Sequence, residues 1–227
     1  MEIKFRIEGM DKLSATLKNA EKQLRYAAAR AATQTAVKVK EQLVKEMQEV
    51  FSKPTPFTLR SIYVLPATKD NLTAEVGLKD QAVKYLRPQI EGGTREKKRS
   101  EKWLNSFYTP GAAMPLNAYG NITPGRITQI LSVTKTHPDI YSRTTSRSKK
   151  RNKALPIYFI KRDKTGKLIP GVWQRVGKRK VRPKLIFIDN PQYHKRFDFY
   201  GIGQRTAIRE FKRIFDAAIA DAIRTAR

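Results

Sequence analysis

The chain contains no cysteine, which excludes disulfides, thiolate metal sites and thiol nucleophiles. Histidine is nearly as scarce. His137 and His194 are the two present, and neither stands at metal-ligand spacing from another histidine or a carboxylate. Both read as surface or capping residues. No apolar run approaches the roughly twenty residues that a membrane-spanning helix needs. The opening MEIKFRIEGM lacks the apolar centre of a signal peptide. The expectation is a protein with no membrane partner, made in a cytoplasm and kept there or built into a particle there.

Catalytic patterns are missing as well. There is no G-x-S-x-G and no P-loop, and Gly201-Ile202-Gly203 lacks the third glycine and the βαβ context of a dinucleotide site. Glu75, Asp163 and Asp189 are scattered rather than gathered as a two-metal nuclease requires. No enzyme activity, cofactor or metal is expected.

Negative charge is the scarcest property of all. Against 47 Lys and Arg stand 20 Asp and Glu, a formal net charge of +27. Such an excess stores self-repulsion and implies a polyanion nearby, with binding that weakens steeply in salt. The excess is localised: residues 135–184 hold seventeen cations and two acids, Asp139 and Asp163, whereas residues 1–51 are close to balanced. Arg143, Arg147, Lys149, Lys150, Arg151 and Lys153 in a basic loop, with Lys178, Arg179, Lys180 and Arg182 in GKRKVRPK, are the candidate contacts to DNA or another polyanion. No base-reading motif accompanies them, so the contact would be to a nucleic-acid backbone or to an acidic protein.

Pro and Gly are absent from Met10 to Ser52. There Leu13, Leu17, Ala20, Leu24, Ala28, Ala32, Ala36, Val39, Leu43, Met47 and Val50 recur at steps of three or four, the face of one long helix. A break near Lys22–Tyr26 would bring its length closer to that of ordinary helices. Its small-residue middle, AAARAATQTA, suits close packing by the C-terminal helix or by a neighbouring subunit. Ile3, Phe5 and Ile7 alternate as a strand before it, and RSIYVLPA and LTAEVGL read as two more.

Gln81 to Glu91 reads as a short helix, limited to a turn or kinked by Pro88 and stopped at Gly92-Gly93. The glycine pair lacks the Lys-Ser/Thr of a phosphate cradle. Arg95 to Tyr108 looks helical and Thr123-Pro124 starts another helix. Lys135 to Lys153 reads as a mobile basic loop. Strands follow at LPIYFI, LIPGVWQRV and KLIFI, and a final helix at about Gln204–Ala226 has Ile208, Phe211, Phe215, Ala218 and Ala222 on one face, with Gly201 and Gly203 at the bend before it. The predicted fold is a single α+β domain over 1–227. Its small mixed, mainly antiparallel sheet packs against the long N-terminal helix and the C-terminal helix, with a helical and basic-loop insertion at about 95–153.

Tyr85 to Thr94, YLRPQIEGGT, resembles a pattern of the head–tail joining and tail-completion proteins of tailed bacteriophages: a Tyr, an apolar residue, then Glu-x-Gly-Thr closing a short helix. Tyr85, Ile90, Glu91, Gly93 and Thr94 carry the match, with Gly92 between and one extra residue after Tyr85. The strand entering an Ala-rich helix in IKFRIEGMDKLSATL also suits that family. MPLNAYGNITPGRITQILS and LPIYFIKRDKTGKLIPGVWQRVGKRKVRPKLIFI are similar to segments of minor tail protein Z and related prophage proteins. The resemblance implies a virion protein that forms a homo-oligomeric ring in the neck or at the tail top. Its neighbours would be portal-adaptor, tail-terminator or tail-tube proteins, with phage DNA in the lumen. The turn at Tyr85, Glu91, Gly92, Gly93 and Thr94 would be a subunit contact, with Glu91 bonded to nearby backbone or to a neighbour's cation.

Overall fold

A computed structural model describes residues 1–6, 18–153 and 156–225, without the side chains of residues 18–21, 223 and 225. Ile7, Met10, Leu13, Leu17, Leu155 and Ala226, and the side chain of Ala20, therefore lie outside the described residues. The chain divides into two compact units, Met1–Gly93 with His194–Arg227, and Thr94–Tyr193. The first contains β1 (Glu2–Arg6), α1 (Lys18–Val50), α2 (Pro56–Leu59), β2 (Ile62–Leu65), β3 (Thr73–Leu78), α3 (Asp80–Glu91) and α7 (Phe199–Thr225). The second contains α4 (Arg99–Leu104), β4 (Phe107–Pro110), α5 (Pro124–Val133), α6 (Ser146–Arg151), β5 (Ile157–Lys161), β6 (Gly171–Arg175) and β7 (Val181–Ile188).

The fold is α+β, with a long N-terminal helix and a C-terminal helix, and every strand pairing is antiparallel. Where the sequence suggests one sheet, the described residues form two, in the orders β1-β3-β2 and β4-β7-β6-β5. β5, β6 and β7 share a sheet with β4, a four-residue strand that begins within the expected helical stretch 95–108 and pairs with β7, so they belong with the insertion and not with the N-terminal strands. The second unit accordingly runs to Tyr193, well past Lys153.

In the first unit α1 is unbroken from Lys18 to Val50, with no interruption at Lys22–Tyr26. Ala32, Ala36, Val39, Leu43 and Met47 bury against Ile62, Ala74, Val76 and Leu78 of the sheet and Leu86 and Ile90 of α3. Ala27 and Ala31 instead meet Ile214, Ala218 and Ala222 of α7. Small side chains on both helices let the two backbones approach, so the Ala-rich stretch is occupied within the chain by the C-terminal helix.

α7 begins five residues earlier than its apolar pattern indicates. Asp198 caps it, its Oδ1 accepting the Gly201 N–H at 3.1 Å, so Gly201 and Gly203 lie inside the helix and not at a bend before it. Gly203 passes Ile3 of β1 so closely that a side chain there would collide. Ile208 is 72% exposed, a departure from the expected face. The first turns of α7 bury Ile202, Thr206 and Ala207, and the later turns bury Ile214, Ala218 and Ala222, leaving Ile208 outside both contacts.

α3 spans twelve residues with Pro88 inside it, one residue longer than the expected Gln81–Glu91 helix and not limited to a single turn. Pro88 sits in the last turn, so only the bond to the Lys84 carbonyl is forfeited. The neighbouring turn is tied down from outside: the Gln89 carbonyl accepts the N–H groups of Arg196 and Phe197 at 2.8 and 2.9 Å, and Gln89 Oε1 accepts the Arg196 guanidinium at 2.9 and 2.7 Å.

In the second unit α4 and α5 place Leu104, Ile130 and Leu131 against Val172 and Leu185, with Tyr108, Tyr158, Ile160 and Phe187 packed around them. The basic segment expected to be a mobile loop carries α6. Thr145 Oγ1 caps that helix by accepting the Ser148 N–H at 3.1 Å, and the Thr145 N–H donates to Ser148 Oγ at 2.9 Å.

Candidate polyanion-binding site

Arg147, Lys149, Lys150 and Arg151 project from α6 and are exposed. Lys178, Arg179 and Lys180 form the tip of the β6–β7 hairpin, closed by the Val176 N–H on the Lys180 carbonyl at 3.0 Å. Strand register relates the two groups. Ile157 at the start of β5 pairs with Arg175, which pairs with Val181, so β5 starts at the hairpin end of the sheet. Lys153 is four residues before Ile157, a reach of at most about 14 Å. Arg182 sits one pair further in, opposite Gln174.

Lys178, Arg179, Lys180 and Arg182 thus share one end of the four-stranded sheet, with Lys153 within chain reach of it, while Arg147, Lys149, Lys150 and Arg151 are grouped on α6. Arg143 is the exception in role: it is half-buried and its Nε donates to the His137 carbonyl at 2.6 Å, bracing its own loop. Among the described residues, none of these ten cations is paired with a carboxylate.

The two acids of this segment are spent on local turns. Asp139 accepts from Ser142 Oγ at 2.5 Å and the Tyr141 N–H at 3.0 Å. The Ser142 hydroxyl and that N–H hold its carboxyl below the usual range. Asp163 is bonded by Lys161 and by Thr165, chiefly the lysine, and its pKa falls to about 2. Neither acid neutralises the basic end.

The turn motif is assembled at the end of α3. The Tyr85 hydroxyl lies 3.2 Å from Thr58 Oγ1. Glu91 pairs with Arg87 of its own helix at 2.7 Å; the resemblance implies nearby backbone or a neighbouring subunit's cation. Gly92 and Gly93 have φ of 82° and 88°, and ψ of −172° puts Gly92 in a region open essentially to glycine alone. Gly92→Ala should therefore cost about 1–3 kcal/mol through backbone strain, measured as a lowered melting temperature by circular dichroism. The pair acts as a helix stop. Thr94 follows it, exposed.

Among the described residues, no three His, Asp or Glu side chains are grouped to hold a metal. His137 Nδ1 is 3.2 Å from the Asp139 carbonyl and its ring lies tilted at 52° against that of Trp103. His194 is exposed. A cleft of about 390 Å³ beside Tyr26, Thr33 and Lys69 holds no acid–base pair. One of about 580 Å³ is lined by Arg162, Lys164, Phe187 and Asp189, with Arg162 committed to the Leu104 carbonyl at 3.0 Å.

Two features escaped sequence reading. Arg95 and Glu101 form a buried pair, and a signal for it existed: Glu101 stands three residues after Lys98, the spacing that lets an acid bond back to the residue capping a helix. The other is Lys184, left without a β6 partner by a bulge that has no sequence signature. Comparisons with protein-family models, curated proteins and solved structures find no match for this chain.

Proposed function

We propose that the chain is a structural protein of a tailed-phage virion, forming a homo-oligomeric ring at the head–tail junction or the top of the tail. It acts by assembly, without catalysis. The observation that carries this reading is the basic end of the second unit, whose cations lack carboxylate partners within the described chain and so await an external polyanion. Phage DNA in the lumen is the partner favoured; an acidic neighbouring ring is the other. The resemblance of YLRPQIEGGT and of the segments following it supports the placement in a neck or tail.

A second reading keeps the same basic end but removes the particle: a sequence-independent DNA-binding protein. Light scattering coupled to size exclusion separates them. A ring-forming subunit is expected to give a discrete oligomer, alone or with its neighbouring proteins. A strict monomer under every condition, still binding DNA, would overturn the ring and leave the second reading.

A further inference from the structure

The β6–β7 register jumps from Val172↔Leu185 to Trp173↔Pro183, leaving Lys184 without a partner on β6. Such a bulge shifts the alternation of a strand and re-aims its side chains. Without it Leu185 and Arg182, three residues apart, would face opposite ways. With it, both lie on the side covered by α5. Leu185 is in the core there, and Arg182 continues the row Tyr158↔Gln174↔Arg182, whose Tyr158 packs against that same core.

α5 adds a second guanidinium above this row. Gln129 Oε1 lies 3.4 Å from both Arg126 Nη1 and the Tyr158 hydroxyl, which fixes Arg126 next to Tyr158. Lys184 is anchored by its Nζ donating to the Ala113 carbonyl at 2.7 Å. Burial first, then the charges of Arg126 and Arg182, lowers its pKa. Among the described residues none of the three has a carboxylate partner.

We infer that Arg126, Arg182 and Lys184 form a preorganised oxyanion site that takes one phosphate of a nucleic-acid backbone. The inference rests on reading the basic end as facing nucleic acid. Arg126, held by the neutral Gln129, and Lys184, held by a backbone carbonyl, offer with Arg182 the guanidinium and ammonium donors that bind phosphate oxygens. Repulsion stored without the anion is relieved when it binds, the usual trade of stability for function. A nucleic acid fits better than an isolated acidic side chain because the exposed hairpin cations Lys178, Arg179 and Lys180 extend the same end of the sheet. A backbone offers regularly repeated charges to such a surface.

The test uses the full chain carrying Arg126→Gln with Arg182→Gln, beside a comparator carrying Lys178→Gln, Arg179→Gln and Lys180→Gln. Lys184 is left intact because it also braces the Ala113 turn. Anisotropy of a labelled DNA duplex is followed over a salt series, and melting in chloride is compared with melting in inorganic phosphate at matched ionic strength. The salt slope of the double variant should fall by about one unit for the lost phosphate. Its melting temperature without phosphate should equal or exceed that of the wild type, and phosphate should raise the wild type alone.

If the comparator lowers the slope but the double variant does not, the site is wrong and the nucleic-acid reading survives. If the wild type binds no DNA, both fall. A double variant that melts lower in chloride would make these cations structural and overturn the proposal. So would a wild type that phosphate does not stabilise. A phosphate response with an unchanged DNA slope would overturn the nucleic acid as ligand.

Discussion

Replacing Glu101 with alanine is expected to destabilise the Thr94–Tyr193 unit by about 3–5 kcal/mol, the cost of leaving a buried charge unpaired. Glu101 is fully buried. Its two oxygens accept Arg95 Nη1 and Nη2 at 2.6 Å each, and Oε2 also accepts the Lys98 N–H at 2.6 Å. Arg95 Nε donates to the Tyr193 hydroxyl at 3.0 Å, and its guanidinium lies over the Phe107 ring. Arg95 is near the first residue of the unit and Tyr193 is its last, so this one cluster joins the unit's two chain ends.

Both tryptophans of the protein, Trp103 and Trp173, lie in this unit. Urea unfolding followed by tryptophan fluorescence therefore reports on it alone, and circular dichroism reports on the helices of both. The fluorescence midpoint of Glu101→Ala should drop well below that of the wild type. A double change, Arg95→Met with Glu101→Leu, should recover much of the loss because no lone charge remains. An unchanged midpoint in the single variant would show that water reaches the pair.

The same pair sets a pH dependence. Burial pushes the Glu101 carboxyl up, but the Arg95 guanidinium and the Lys98 N–H outweigh it, and the folded-state pKa lies below the ordinary 4.5. A depressed carboxylate contributes stability that is present above its unfolded pKa and is lost as pH falls through the folded value. The fluorescence midpoint should accordingly decline below about pH 4.5, and Glu101→Gln should flatten that decline.

The second large effect is on DNA. Changing Lys149, Lys150, Arg151 and Lys153 together to glutamine should make the salt dependence of duplex binding shallower by roughly 3 to 4 units, at about 0.9 per phosphate contact. Affinity at low salt should fall with it, across unrelated sequences alike, since no base-reading element is involved. These residues are exposed on α6 and the segment after it, so the fold should be unaffected and the melting temperature preserved. An unchanged slope would redirect the basic end to an acidic protein neighbour.

Much of the architecture was legible because local periodicity is a local property. Residues Ala28 to Met47 at steps of three and four give α1. Alternation in Ile62–Val64 and Ala74–Val76 gives β2 and β3. Antiparallel pairing follows from the short turns between neighbouring strands. Gly92-Gly93 as a helix stop is read from residue type, since few other residues tolerate positive φ.

What failed has a common cause in long-range contact. Assigning β5 to β7 to one sheet with β1 to β3 was wrong because a strand's alternation does not name its partner, and Phe107 and Tyr108 of β4 looked helical beside Trp103 and Leu104. Ile208 fits the apolar face of α7 by spacing, yet lies between the two sets of residues that the rest of the unit covers. Charge behaves alike. Composition and position alone determined that this protein has a strongly basic segment, no cysteine chemistry and a long Ala-rich helix. Only tertiary structure decided that Glu101 is buried beneath Arg95, and that one unpaired residue, Lys184, puts Arg182 on the same sheet face as Leu185. Burial and strand register depend on which distant segments meet, and no local pattern encodes that.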